Sequence, residues 1–448
     1  MEKTPLLVDF DQISTEVLQP KSQFKNQGIF TGSKTITNEF KKDSEEENLA
    51  ASCGHVCVAD VGLQRVRDLS ELSANIIAIF VVAFDTRSGN VIEWSTPEDI
   101  DLEGVEFKAM ASGSHTVNSD FIFFKKDNYY GLSCYEKIKV ESLEERGARM
   151  KSVGILATSY TTLYRHMQFL ENQVRHQLGT PQHYEQLRAF YADHKGSLPI
   201  STSLSTVNPS SSECRVLPAM MITHPAGCFA QFINFFGEHI FTIWKFILLR
   251  KRIIFFSPPP IGVVCYRVYC ASVLGNHTVQ MENDLEVKPH FYINVADIDT
   301  IEAELFFVAC TTEKIFLEKK DLYDVYVDNQ NLVVQSNSMK DILKICYADK
   351  EKFNQLNNQR SAQLFKAQEL EEEAMQDDQV FATFFLEMNN HIFQTLLDIS
   401  MTQDKALTSD HMKSMGLDPI GDRQFIMDLI ELHGIDVLLI LDNPCCPT

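Results

Sequence analysis

The stretch from Phe229 to Phe256 limits the fold most, because its apolar content could serve either a bilayer or a protein core. It is interrupted by Glu238, His239, Lys245, Arg250, Lys251 and Arg252. No uncharged run in it approaches the roughly 20 residues that a membrane-crossing helix needs. The stretch therefore reads as a buried helix from Phe229 to Leu248 that runs into a strand at Arg252–Phe256. Helix and strand must both be covered by other elements, which directs the chain to an α/β core.

The bulk properties agree. At 448 residues the chain exceeds one ordinary core, so two or three packed units are expected. Hydrophobic residues make up 44% and charged residues 23%, close to the globular norm. The net charge of −21 and a pI near 5.0 disfavour nucleic acid or bare anionic lipid as the main partner, since both are polyanions. The 11 cysteines are odd in number and scattered, and Cys228, Cys265, Cys270, Cys310 and Cys346 sit in apolar runs. This usage fits reduced thiols in a cytoplasmic protein. No cationic segment followed by an apolar one opens the sequence, so no secretory signal is expected. The sequon Asn276-His277-Thr278 then has no consequence.

Along the chain, residues 1–50 are polar and aperiodic and read as a disordered tail. Ile76–Phe84 and Val91–Trp94 predict a β-hairpin with Gly89 in its turn, stopped by Pro97. Strands follow at Phe121–Phe124 and Tyr129–Cys134, joined by a turn over 125–128, and at Val153–Ala157. A helix is predicted from Tyr160 to Leu178 with Ser159 as its N-cap, because Leu163, Met167, Leu170, Val174 and Leu178 share one face. Together these make an α+β unit over 51–194. A Ser/Pro-rich linker over 195–215 separates it from a second, α/β unit over 216–336. There a helix is expected near Ile261–Leu274, with strands near Leu305–Cys310 and Asp324–Val334, and Pro258-Pro259-Pro260 as a turn at the helix start. Residues 337–448 read as almost entirely helical, with Val380, Phe381, Phe384, Phe385, Met388, Ile392 and Leu396 in one stripe.

The search for a reaction centre returns little. Gly28, Gly32, Ser33, Lys34 and Thr35 approximate a phosphate-binding loop, but the glycine spacing is one short and Ser33 precedes the lysine. Cys53, His55 and Cys57 lack a companion pair at zinc-finger spacing. Ser112 and His115 lack an acid and an oxyanion hole. The expectation is therefore a regulator, with no catalytic residues, no cofactor and no metal. Two short signals lie near the ends: a dileucine pattern at Glu2-Lys3-Thr4-Pro5-Leu6-Leu7, and Cys445-Cys446 as acylation candidates.

The order of parts resembles the upstream, core and downstream parts of a DENN domain. Ile79–Asp85 with Gly89–Glu93 is similar to the opening hairpin of that family's longin-like lobe. Phe246–Ser257 resembles the helix-to-strand passage of its core, and Gly262–Cys270 and Gly416-Leu417-Asp418-Pro419 with Asp422 add to the likeness. The resemblance covers about 56–440. It implies a two-lobed fold and guanine-nucleotide exchange on a Rab-type small GTPase, gripped at its switch regions across the two lobes. It also implies work at endomembranes, visited transiently from the cytoplasm, and no cofactor. Its alternative is a non-exchanging scaffold, or a GTPase-activating subunit of a heteromeric trafficking complex with Arg87 as the arginine supplied. The hairpin residues Arg87, Asn90, Glu93 and Trp94 are the expected partner contacts; Trp94 packed on its own sheet is the competing reading.

Overall fold

Long β-branched and aromatic runs separated by polar turns pair with their neighbours in sequence, and the first five strands do so. The computed structural model describes residues 76–142, 145–195, 229–280, 287–370 and 377–440. β1 (Ile76–Asp85) folds back on β2 (Gly89–Thr96), and the short helix α1 (Val105–Ala109) follows. β3 (Ser119–Lys126), β4 (Tyr129–Lys139) and β5 (Ala148–Ala157) form an antiparallel meander, and β5 closes on β1. Two aromatic rings lie flat across glycines in these strands. A methyl at Gly154 would stand 2.4 Å from the Phe80 ring, and one at Gly131 2.2 Å from the Phe124 ring. No larger residue fits either place without moving a buried ring, an overpacking cost of about 1–3 kcal/mol.

α2 (Met167–Gly179) covers this half through Leu170, Val174 and Leu178, all buried. It starts later than the periodicity suggests. Residues Leu163–His166 form a 3-10 turn, and the Ser159 hydroxyl accepts the Thr161 N–H at 3.3 Å instead of capping the α-helix. α3 (Glu185–His194) was not anticipated: its inward face is little more than Leu187 and Phe190.

After α4 (Phe229–Phe236) and α5 (Ile240–Leu248) come β6 (Ile253–Phe256) and α6 (Gly262–Val273). The 229–248 helix is thus two helices, divided by a 3-10 turn at Gly237–His239. β7 (Pro289–Tyr292), α7 (Ile298–Glu302), β8 (Val308–Thr311), α8 (Ile315–Glu318), β9 (Val325–Asp328) and β10 (Asn331–Val334) complete the sheet. β7 was unforeseen. The single strand expected over Asp324–Val334 is a hairpin, with Asn329 at φ 54° in its turn. β6, β7 and β8 run parallel to the strands they pair with, as β9 does to β6, and all four are short and largely buried, as strands covered on both faces are.

All ten strands join one sheet, ordered β10-β9-β6-β8-β7-β3-β4-β5-β1-β2. The antiparallel half meets the parallel half at one bridge, Phe124 opposite Tyr292. The C-terminal part adds α9 (Asn337–Ile342), α10 (Tyr347–Leu370), α11 (Asp377–Ser400), β11 (Ala406–Thr408), α12 (Ser409–Ser414), α13 (Arg423–His433) and β12 (Leu438–Ile440). The pairing of β11 with β12 adds two short strands to a part read as almost entirely helical. The predicted stripe on α11 is real: Val380, Phe381, Phe384, Phe385, Ile392 and Leu396 are buried, and Met388 is partly so. Among the described residues no helix is long and apolar enough to cross a membrane.

Candidate functional site

With one backbone bridge between its halves, the sheet relies on side chains to hold the seam. Asp120, at the start of β3, accepts the N–H groups of Ile261 (2.6 Å) and Gly262 (3.0 Å) where α6 begins. This is what the triproline turn delivers: the start of a helix set against a buried carboxylate. Burial, set against those amides, raises the Asp120 pKa to about 6. The Tyr292 hydroxyl accepts the Ser112 N–H at 3.2 Å, and the Cys265 thiol donates to the Phe123 carbonyl at 3.4 Å. Phe291 packs on Phe123, Tyr130 and Tyr160 at centroid distances of 5.3, 6.4 and 5.7 Å. Hydrogen bonds and aromatic packing therefore close the seam around these residues.

At one place it opens into a cleft of about 340 Å³. Glu103, Lys108, Lys125, Lys126, Asp127, His290, Asp297 and Glu304 supply its charged and titratable lining from both halves of the sheet. α1 brings in Lys108 and starts at Gly104, whose φ of 84° is left-handed and strained for any residue with a side chain. The Lys108 ammonium donates to the Lys125 carbonyl at 2.7 Å and pairs with Asp297 at 2.5 Å. Asp297 is fixed in turn by a capping box: its carboxylate accepts the Asn294 N–H at 2.9 Å, while the Asn294 side chain accepts the Ala296 N–H at 2.9 Å. Lys125 stands 3.3 Å from His290 Nε2 and 3.7 Å from Glu304. Burial, with Lys125 and Lys108 nearby, drives the His290 pKa down to about 3. The ring is neutral near pH 7, so in the tautomer protonated at Nδ1 its Nε2 accepts a hydrogen bond from the Lys125 ammonium. Lys125 and Glu304 remain partly exposed, at 26% and 38%. A charged group entering the cleft can compete for either.

The four hairpin residues predicted as partner contacts do not form one free surface. Arg87 is exposed on the turn, its N–H bonded to Asp85 at 2.8 Å. Asn90 is half-buried and donates to the carbonyls of Glu106 (3.3 Å) and Met110 (3.1 Å). Glu93 pairs with Lys151 at 2.5 Å and accepts the Tyr184 hydroxyl at 2.5 Å. Trp94 stacks on Tyr184, at the start of α3, at 4.8 Å, with Arg188 of that helix over its ring. Sequence reasoning missed the cleft itself. Its residues come from the end of β3, an unforeseen strand some 165 positions on and the segment after it, and only the Asn294-to-Asp297 capping pattern was a local signal.

A second ionic cluster lies under the C-terminal part. Lys245 bonds Asp349 at 2.8 Å and Asp422 at 2.6 Å, and Lys352 reaches the other Asp349 oxygen at 3.1 Å. Burial depresses the Lys245 pKa, but Asp422 and Asp349 outweigh it and the net shift is upward. Ligand atoms of Cys346, Asp349 and Asp422 lie within 4.8 Å of one another, a spacing that could hold a metal ion. Two ammonium groups already supply positive charge to these carboxylates. Burial, then Asp422, pushes the Cys346 thiol up to about 12, so it keeps its proton and donates to Asp349 (3.2 Å) and Asp422 (3.4 Å). The phosphate-loop-like residues 28–35, the Cys53/Cys57 pair, the dileucine pattern and Cys445-Cys446 lie outside the described residues.

The family model described as DENN domain-containing protein 11 matches residues 79–340, which takes in the seam, the cleft and nearly the whole sheet. Proteins of that name are similar over most of the chain. The Mus musculus protein is 58% identical over 379 residues, covering 83% of this chain and 83% of its own. The Xenopus laevis protein is 56% identical over 381 residues, covering 83% of this chain and 87% of its own. The Danio rerio protein is also 56% identical over 381 residues and is covered to 78%. On that match across the sheet, the chain belongs to the DENN domain-containing protein 11 family.

Proposed function

We propose that this chain is a guanine-nucleotide exchange factor for a Rab-type small GTPase and holds the switch regions of that GTPase across the seam of its sheet. Membership of a DENN domain family, over a match that spans both halves of the sheet, carries the reading. The cleft adds a place for the grip: it opens at the junction and is lined by both halves with Lys125 and Glu304 still accessible. Exchange needs no reacting side chain. A surface that binds the nucleotide-free GTPase more tightly than the GDP-bound form lowers the barrier to GDP release by that difference in affinity, about tenfold in rate for each 1.4 kcal/mol.

The test is release of a fluorescent GDP analogue from a panel of Rab GTPases, with and without the full chain. Acceleration of one or two Rabs in proportion to the concentration of this protein supports the reading. Folded protein that accelerates none overturns stand-alone exchange. A second reading, as a GTPase-activating or scaffolding subunit of a trafficking complex, draws on Arg87, the exposed member of the four hairpin positions. It predicts faster GTP hydrolysis by the cognate GTPase, lost in Arg87→Ala.

A further inference from the structure

Beyond exchange, we infer that Arg267 anchors a docking site for a partner segment that presents a carboxylate. α6 is almost wholly buried: of its 12 residues only Val263 and Arg267 are not. They stand four positions apart and share one face of the helix. The Arg267 guanidinium lies over the Phe235 ring of α4, 3.8 Å from its centre. The Phe235 carbonyl accepts the side-chain amide of Gln330, in the β9–β10 turn. Phe235 is thus beside the carboxyl end of β9, and that end of the strands is where open α/β sheets take ligands.

Nothing answers the charge of this arginine. Arg149, Arg175 and Arg252 each pair with a carboxylate. Arg267 makes no ion pair and no hydrogen bond among the described residues; its one contact of this kind is the Phe235 ring. Burial lowers its pKa, and no charged group of either sign contributes to that shift. The guanidinium nevertheless stays protonated. A partly desolvated charge with no counter-charge attracts an incoming anion more strongly than an exposed one does. The ring contact also holds the planar fork in place, so its N–H donors can meet both oxygens of a carboxylate at once. Charge and number select the occupant. No carboxylate competes here, whereas in the cleft Asp297 and Glu304 face the lysines. No second cation acts on Arg267 either, so the site suits one carboxylate better than a phosphate dianion. Phe235 and Val263 give the aliphatic part of an acidic segment a surface to lie on.

The experiment selects phage-displayed random dodecapeptides on the full chain and measures the enriched peptides by fluorescence polarisation. Enriched peptides should carry Asp or Glu, and changing that residue to Asn or Gln should weaken binding about tenfold. Arg267→Gln should cause the same loss, and the peptide change should then have no further effect, because both remove one contact. Thermal melting checks that Arg267→Gln is folded. If it is not, Arg267→Lys, which keeps the charge without the fork, takes its place in the cycle. Three results overturn the inference: no enrichment of acidic peptides; losses from the two changes that simply add; or displacement of the peptide by inorganic phosphate where acetate at equal ionic strength leaves it bound, which would make this a phosphate site.

Discussion

Two clusters of lysine and carboxylate join distant parts of this chain, and they differ in access to water. Around Lys245 every charged member is between 0% and 4% exposed, and three segments are locked together. Around Lys125 the pair with Glu304 is loose at 3.7 Å and open at 26% and 38%. Coulomb attraction in the dry cluster is strong, but it is offset by the loss of hydration, and removing one partner leaves a bare charge behind. In the wet cluster both terms are small and either partner can be exchanged. Similar chemistry thus serves as structure in one place and as an accessible site in the other.

The sharpest way to break this comparison is Lys245→Met. It strands the Asp422 oxygen that Lys245 holds at 2.6 Å, while Asp349 keeps Lys352. A loss of about 3–5 kcal/mol is expected, measured by urea unfolding at fixed pH. Adding Asp422→Asn removes the stranded charge and should recover part of the loss. A single variant within about 1 kcal/mol of the parent would mean that water reaches the cluster, and the contrast between the two sites would fail.

Acid provides the next test, because it acts on the seam. The folded His290 pKa of about 3 lies below the usual 6.5, so between those values the unfolded chain binds the extra proton. Stability is therefore lost as pH falls below about 6.5, by about 2 kcal/mol at pH 5 from this group. His166, held near 4 by burial and by His194, acts in the same direction. Asp120 opposes them: with its folded pKa raised to about 6, it binds its proton more tightly when folded, so its contribution is lost as pH rises from about 4 to 6. Two groups outweigh one, and melting followed from pH 7 to pH 5 should fall. In His290→Gln the fall should be smaller, and an unchanged slope would show that His290 is not buried and neutral.

The two halves of the sheet were not equally legible. β1 to β5 are eight to eleven residues long, rich in β-branched and aromatic side chains and joined by local turns, so their order and pairing follow from periodicity. β7 is four residues, Pro289 to Tyr292, opens with proline and does not alternate, so nothing local marks it. Its partners are chosen by burial from both faces. Asn329 did carry a turn signal, and the hairpin it makes could have been read from it. The cleft had no comparable signal: Lys125 and Lys126 read as an ordinary polar turn until His290 and Glu304 are brought beside them. The fold was written in local runs, whereas the site was written in contacts between runs.

The smallest expected effect on stability is the most informative about function. Lys125→Ala removes a loose, partly exposed pair and a hydrogen bond to His290, and should cost less than about 1 kcal/mol. Lys108→Ala, by contrast, strands a carboxylate only 13% exposed and should cost more. If the cleft is where a GTPase is gripped, Lys125→Ala should slow assisted GDP release several-fold in a protein that melts like its parent, because an accessible charge changes encounter and affinity without disturbing the core. A full rate of release in that variant would place the grip elsewhere on the seam. A large loss of stability would place Lys125 with the dry cluster, and the distinction between a charge that holds the fold and one that is free to meet a partner would have to be redrawn.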